Sequence, residues 1–236
     1  RLPSRMMKDS ALDPWAEAID EYPLTGTAEE KFRAVLRWVV LAPSSHNSQP
    51  WVFRLRGDTL ELLADRSRAL PVVDPDDREL IISCGSALRF VRAAFTHFGQ
   101  ASRVALMPER ENPDLMARIT IGDPIQPSER DHQLFAAIPG RRTNRFPFDA
   151  REISEVVLGR ARNQAEKDGA WLQTLTLDSD RVALAELIAE GDRLQLADRH
   201  FRRELALWVH SNRSSTRDGM PGYALGAGDL ASEVGP

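Results

Sequence analysis

Two stretches of this 236-residue chain carry more hydrogen-bonding side chains than a plain connection needs. The first is Leu41-Ala-Pro-Ser-Ser-His-Asn-Ser-Gln-Pro-Trp51, which holds three serines, an asparagine, a glutamine and a histidine between two prolines. A loop of this kind, fixed at both ends by regular elements, can present oriented donors to a ligand. It can equally be a turn whose Ser and Asn side chains cap its own backbone. A third possibility is a nucleophile, Ser44 or Ser45 served by His46. That fits poorly, because adjacent residues rarely face each other and the strand-Gly-x-Ser-x-Gly-helix elbow is missing. The second stretch is Pro139-Gly-Arg-Arg-Thr-Asn-Arg-Phe-Pro-Phe148. Arg141, Arg142 and Arg145 with the hydroxyl of Thr143 form a plausible phosphate cradle, since guanidinium offers several planar donors to phosphate oxygens. The bland alternative is a solvated basic turn.

The elements flanking the first loop are legible from local rules. Thr27-Ala-Glu-Glu30 is a capping box, and Phe32, Val35, Leu36, Val39 and Val40 then recur at helical spacing, so a helix delivers its C-terminal end to Pro43. Beyond the loop, residues 51–57 and 59–64 alternate about Gly57-Asp58, the pattern of a hairpin. Residues 66–73 read as irregular. Asp74-Pro-Asp-Asp77 opens a long apolar helix that Gly99 ends, with small residues from Ser83 to Ala87 permitting close approach. Strands are expected at 103–107 and 116–122, a short helix at 131–138, and a boundary at Asp123-Pro-Ile-Gln-Pro127. Further helices are expected around 13–19, 152–167, 180–197 and 199–209, with a strand over 170–177. The two halves so defined are residues 1–125 and 126–236.

Composition bounds the rest. An apolar content of 42% supports a buried core, and a formal charge of −4 gives no global basic field, so nucleic acid is not an expected partner. Cys84 is the single cysteine, which excludes an internal disulfide framework and suits a reducing compartment. Neither a leader nor a long apolar run is visible, so a cytoplasmic protein with no membrane span is expected. No metal-ligand set is singled out.

Pro43-Ser-Ser-His-Asn-Ser-Gln-Pro-Trp51 resembles the signature loop of the nitroreductase superfamily, matching its Pro-Ser-Ser-x-Asn-x-Gln-Pro-Trp pattern at each fixed position. Arg141-Arg-Thr-Asn-Arg145-Phe is similar to the Arg-x-Ser-x-Arg/Lys-x-Phe motif of the same family, which ordinarily stands at the N-terminus, ahead of the loop. Ordinary members are homodimers in which the arginine motif of one subunit and the loop of the other close on one FMN. Here the loop comes first, as in the Acg-like subgroup of fused pairs, and Asp218-Gly-Met-Pro221 resembles a turn of that subgroup.

The resemblance implies an α+β fold, a tandem pseudo-repeat of helices packed on antiparallel sheet, with the second half incomplete at Pro236. It implies FMN held by Pro43, Ser44, Ser45 and Asn47 on the ribityl and ring edge, by Arg141, Arg142 and Thr143 at the phosphate, and by Arg145 near N1/O2. It implies no catalytic side chain, NAD(P)H as reductant, and ping-pong transfer to a small nitroaromatic or quinone-like acceptor. A flavin-binding or flavin-sequestering protein without turnover is the alternative, and a scaffold that lost its ligand is a third. Whether such a fused pair is monomeric or associates further stays open.

Overall fold

A computed structural model describes residues 22–226, so the helix expected around 13–19 lies outside the described residues. Two compact units divide the chain. The first contains residues up to Thr143 together with those from Arg203 onward, and the second spans Asn144–Arg202.

In the first unit, helix α1 (Ala28–Val39) starts where Thr27 and Glu30 cap each other's backbone N–H groups, as the capping box requires. Its buried face is Phe32, Val35, Trp38 and Val39. Strands β1 (Trp51–Arg56) and β2 (Thr59–Ala64) form the expected hairpin, with Gly57 at φ +57° supplying a turn conformation that costs other residues more. Helix α2 (Arg78–His97) begins after Asp77, and the Asp74 carboxylate accepts from Leu80 N–H at 2.8 Å, so the acids before the helix satisfy one of its donors. β3 (Gln100–Leu106) and β4 (Leu115–Pro124) complete an antiparallel sheet of order β1-β2-β4-β3. This is the mixed α+β architecture expected.

One sheet face supplies Leu60, Leu62, Ala117 and Ile119 to a core shared with α1 and with Cys84, Ala87, Val91, Ala94 and Phe95 of α2. Helix α3 (Glu129–Gly140) joins the same core through Phe135, whose ring lies 5.0 Å from Trp38 and 4.0 Å from His97. Fixing Phe135 against the C-terminal part of α1 fixes where α3 ends. It therefore sets where the arginine stretch begins. Leu41 and Ala42, both buried, carry α1 into the polar loop.

The second unit holds α4 (Glu155–Lys167), capped by Ser154, and α5 (Asp178–Ala197). Residues 170–177 form no strand, because an alternating segment becomes one only beside a partner edge and none adjoins it among the described residues. Arg162 reaches across to Thr174 Oγ1 at 2.8 Å instead. α6 (Arg199–Trp208) runs across the boundary at Arg203. After it come a two-residue parallel pair, β5 (Val209–His210) with β6 (Met220–Pro221), and a short turn to Leu225. No helix among the described residues is long and apolar enough to cross a membrane.

Candidate functional site

The polar loop is held in a conformation that ordinary residues avoid. His46, Asn47 and Gln49 all have positive φ, at 51°, 53° and 51°. Ser44 Oγ accepts from Gln49 N–H at 2.9 Å, closing the loop on itself. Ser45 Oγ donates to the Glu79 carboxylate, and Ser45 N–H donates to Ser83 Oγ at 3.3 Å. The serine hydroxyls thus pair with Gln49 N–H and Glu79 rather than with His46, which leaves the nucleophile reading without its base. The small residues of α2 take the loop directly: Ser83 as above, and Cys84 through Sγ to Pro50 O at 3.4 Å. Burial pushes the Cys84 thiol up to about 12, so it is a packing group and not a reactive one.

The far side of the loop meets a segment distant in sequence. Asn47 Nδ2 donates to Arg217 O at 3.2 Å and Gly219 O at 3.0 Å, and Gln49 Nε2 donates to Arg217 O at 2.9 Å. Gly219 N–H returns a bond to Asn47 O at 3.1 Å. Arg68 Nη1 donates both to Ser48 O, at 2.7 Å, and to Asp218 Oδ2, at 2.9 Å. A hollow of about 180 Å³ under the loop, lined by Ser45, Ser48, Arg68, Asp74, Glu79 and Ser83, is below the size of ordinary ligand pockets.

The arginine stretch starts at the entrance to this loop. Arg141 donates through Nε and Nη2 to Leu41 O, at 3.3 and 3.2 Å, and through Nη1 to Thr143 Oγ1 at 3.4 Å. Arg141 has no carboxylate partner among the described residues. Burial, then the neighbouring Arg142 charge, holds its guanidinium below the ordinary arginine range. A cation disfavoured in both ways gains from an anion that satisfies its remaining donors. Arg142 folds back on Pro139 O and Arg141 O, at 2.6 and 2.8 Å. The structure therefore places Arg141 and Thr143 in the same unit as Pro43, Ser44, Ser45 and Asn47, with Arg141 bonded to Leu41 O where the loop begins, while Asn47 faces the 217–219 turn. Arg145 is exposed and belongs to the second unit.

Sequence reasoning missed Arg68, Asp218 and Gly219 as partners of the loop. Arg68 lies in a stretch without periodicity, and the turn at Asp218-Gly219, though it resembles one of the Acg-like subgroup, carries no sign of the backbone it meets.

No family model matches the chain. It is similar to the "Putative NAD(P)H nitroreductase Rv3131" of Mycobacterium tuberculosis, 34% identical over 81% of this chain and 54% of that protein. It is also similar to the "Putative NAD(P)H nitroreductase acg" of the same organism, 29% identical over 86% of this chain and 60% of that protein. The chain belongs to the nitroreductase superfamily. Within that superfamily it groups with the Acg-like members. A third relative, the "Probable NAD(P)H nitroreductase PigM" of a Serratia species, is 25% identical over 82% of this chain and 56% of that protein. The chain spans about half the length of the curated relatives it matches, so what this Acg-like chain binds has to be argued from its own residues.

Proposed function

We propose that the loop from Pro43 to Trp51 and the segment Arg141–Thr143 form two walls around one FMN, and that the protein is an FMN-dependent NAD(P)H oxidoreductase of nitroreductase type. The observation that carries this is the bond from Arg141 to Leu41 O, which puts at the mouth of the signature loop a guanidinium with no carboxylate partner among the described residues. FMN, when bound, supplies the two-electron exchange between NAD(P)H and a nitroaromatic or quinone-like acceptor.

The chain's own groups suit that cofactor. Arg141, with the Thr143 hydroxyl and the adjacent Arg142, offers charged and neutral donors to a phosphate. Ser44 Oγ uses a lone pair on Gln49 N–H and keeps its hydroxyl hydrogen for a ribityl oxygen. Asn47 spends its amide hydrogens on two carbonyls, so it presents Oδ1, an acceptor, to a ring-edge N–H. No side chain acts as nucleophile, and the order of reaction is ping-pong. The same reading takes residues 1–125 and 126–236 as the two halves of a fused pair.

Purified protein reconstituted with FMN tests the proposal. It is expected to retain yellow colour through gel filtration and to bleach on anaerobic addition of NADPH or NADH. Colour that neither nucleotide bleaches would favour flavin sequestration without turnover, and colourless protein would remove the cofactor.

A further inference from the structure

We propose that Asp218 and Gly219, locked by Arg68, are positioning residues that hold the signature loop in its left-handed conformation. The inference rests on the reading of that loop as a flavin wall. Positive φ at three residues within four is unfavourable for side chains with a Cβ, and it persists only where surroundings over-determine the backbone. The surroundings here are the 217–219 turn. It takes Asn47 and Gln49 amide hydrogens on its carbonyls and gives its own Gly219 N–H to Asn47 O, so Asn47 is gripped by side chain and main chain together.

The turn is itself fixed by two residue choices. Asp218 places one carboxylate oxygen 2.9 Å from Arg68 Nη1 and the other 3.5 Å from His210 Nε2. The same Arg68 nitrogen bonds Ser48 O inside the loop, so one guanidinium ties the turn and the loop together, while its Cζ lies 6.0 Å from the centroid of the Trp208 ring. Gly219 has φ +70°, and a Cβ there would stand 2.7 Å from Trp208 O and overlap the His210 ring. Only glycine passes beneath them with its amide and carbonyl both aimed at Asn47. Asp followed by Gly is therefore dictated at this point: the acid anchors the turn, and the glycine makes the approach. Glu204 adds a second tie, accepting from Val72 N–H at 3.0 Å and Val73 N–H at 2.9 Å, and so keeps the end of α6 beside the segment that carries Arg68.

The experiment uses the full chain in four forms: wild type, Asp218→Ala, Asp218→Asn and Arg68→Lys. Amide hydrogen exchange is followed without ligand, and FMN affinity is measured by fluorescence quenching. Asp218→Ala is expected to speed exchange in peptides covering 43–51 by tenfold or more, with α2 peptides unchanged, and to weaken FMN by at least tenfold. Asp218→Asn, which keeps an oxygen acceptor, should recover most of both effects. If Asp218→Ala also loses α2 protection and so fails to fold, Arg68→Lys decides, with fast loop exchange expected over an intact α2. A wild type that ignores FMN would remove the cofactor reading while the exchange data still report on the turn. Wild-type exchange at 43–51 in both Asp218→Ala and Arg68→Lys would overturn the positioning role while leaving the cofactor reading standing.

Discussion

The two compact units contrast in what they do with similar amphipathic helices. In the first, α1 and α2 bury Phe32, Val35, Val91, Ala94 and Phe95 almost completely against the sheet. In the second, α4 and α5 have no buried residue, and Leu187 and Ile188 stand 69% and 55% exposed. Capping and helical periodicity suffice to form a helix, but stability comes from what the apolar stripe packs against. The signature loop, Arg141 and Thr143 lie in the unit with a core, which can hold strained backbone in place.

The largest expected effect breaks the contrast at its centre. Phe95→Ala should cost about 3–5 kcal/mol, read as the midpoint shift in chemical denaturation, because it empties a packed space between α1, α2 and Tyr22. Arg141→Ala should weaken FMN binding by about 1.5–3 kcal/mol in a titration, the worth of a charge-assisted bond. Glu61, buried on the sheet opposite Arg54 and Arg118, should cost about 1–3 kcal/mol when changed to Ala, leaving three arginines without their shared acceptor. Burial works to raise its carboxyl, but hydrogen bonds from Arg54, Arg118 and Arg56 hold it below the usual range. Its contribution is therefore present above the ordinary carboxylate value and is lost as pH falls through the folded one.

A smaller effect is expected from the His97–His132 contact, Nδ1 to Nδ1 at 3.0 Å, where burial and then the second imidazole hold His97 below its ordinary value. The unfolded chain then binds the proton more readily, so stability falls as pH drops below about 6.5, and His132→Asn should flatten the slope of Tm against pH there. Smallest of all, Leu187→Ala in the second unit should change stability by no more than about 0.5 kcal/mol. A value near that of Phe95→Ala would show that the exposed stripe is covered in solution.

How far the sequence reveals this molecule depends on how local each signal is. Thr27 with Glu30, Gly57 in the hairpin and Gly99 after α2 act over a few residues, and their elements stand where expected. The strand expected at 170–177 required an edge to pair with, and its alternation could not reveal whether one adjoined it. The loop's own residue types pointed to the site. Its partners did not, because Asn47 and Gly219 lie 172 positions apart and nothing in an isolated Asp-Gly pair says which backbone it will meet.

On the proposed reading, Arg141 and its neighbours grip the phosphate of a mononucleotide whose ring lies on the loop. Parallel titrations with FMN and riboflavin, in wild type and Arg141→Ala, test it most directly. Wild type is expected to prefer FMN by about ten- to a hundredfold, with the preference abolished in Arg141→Ala and riboflavin affinity unchanged. Equal affinity of the wild type for the two flavins would contradict it.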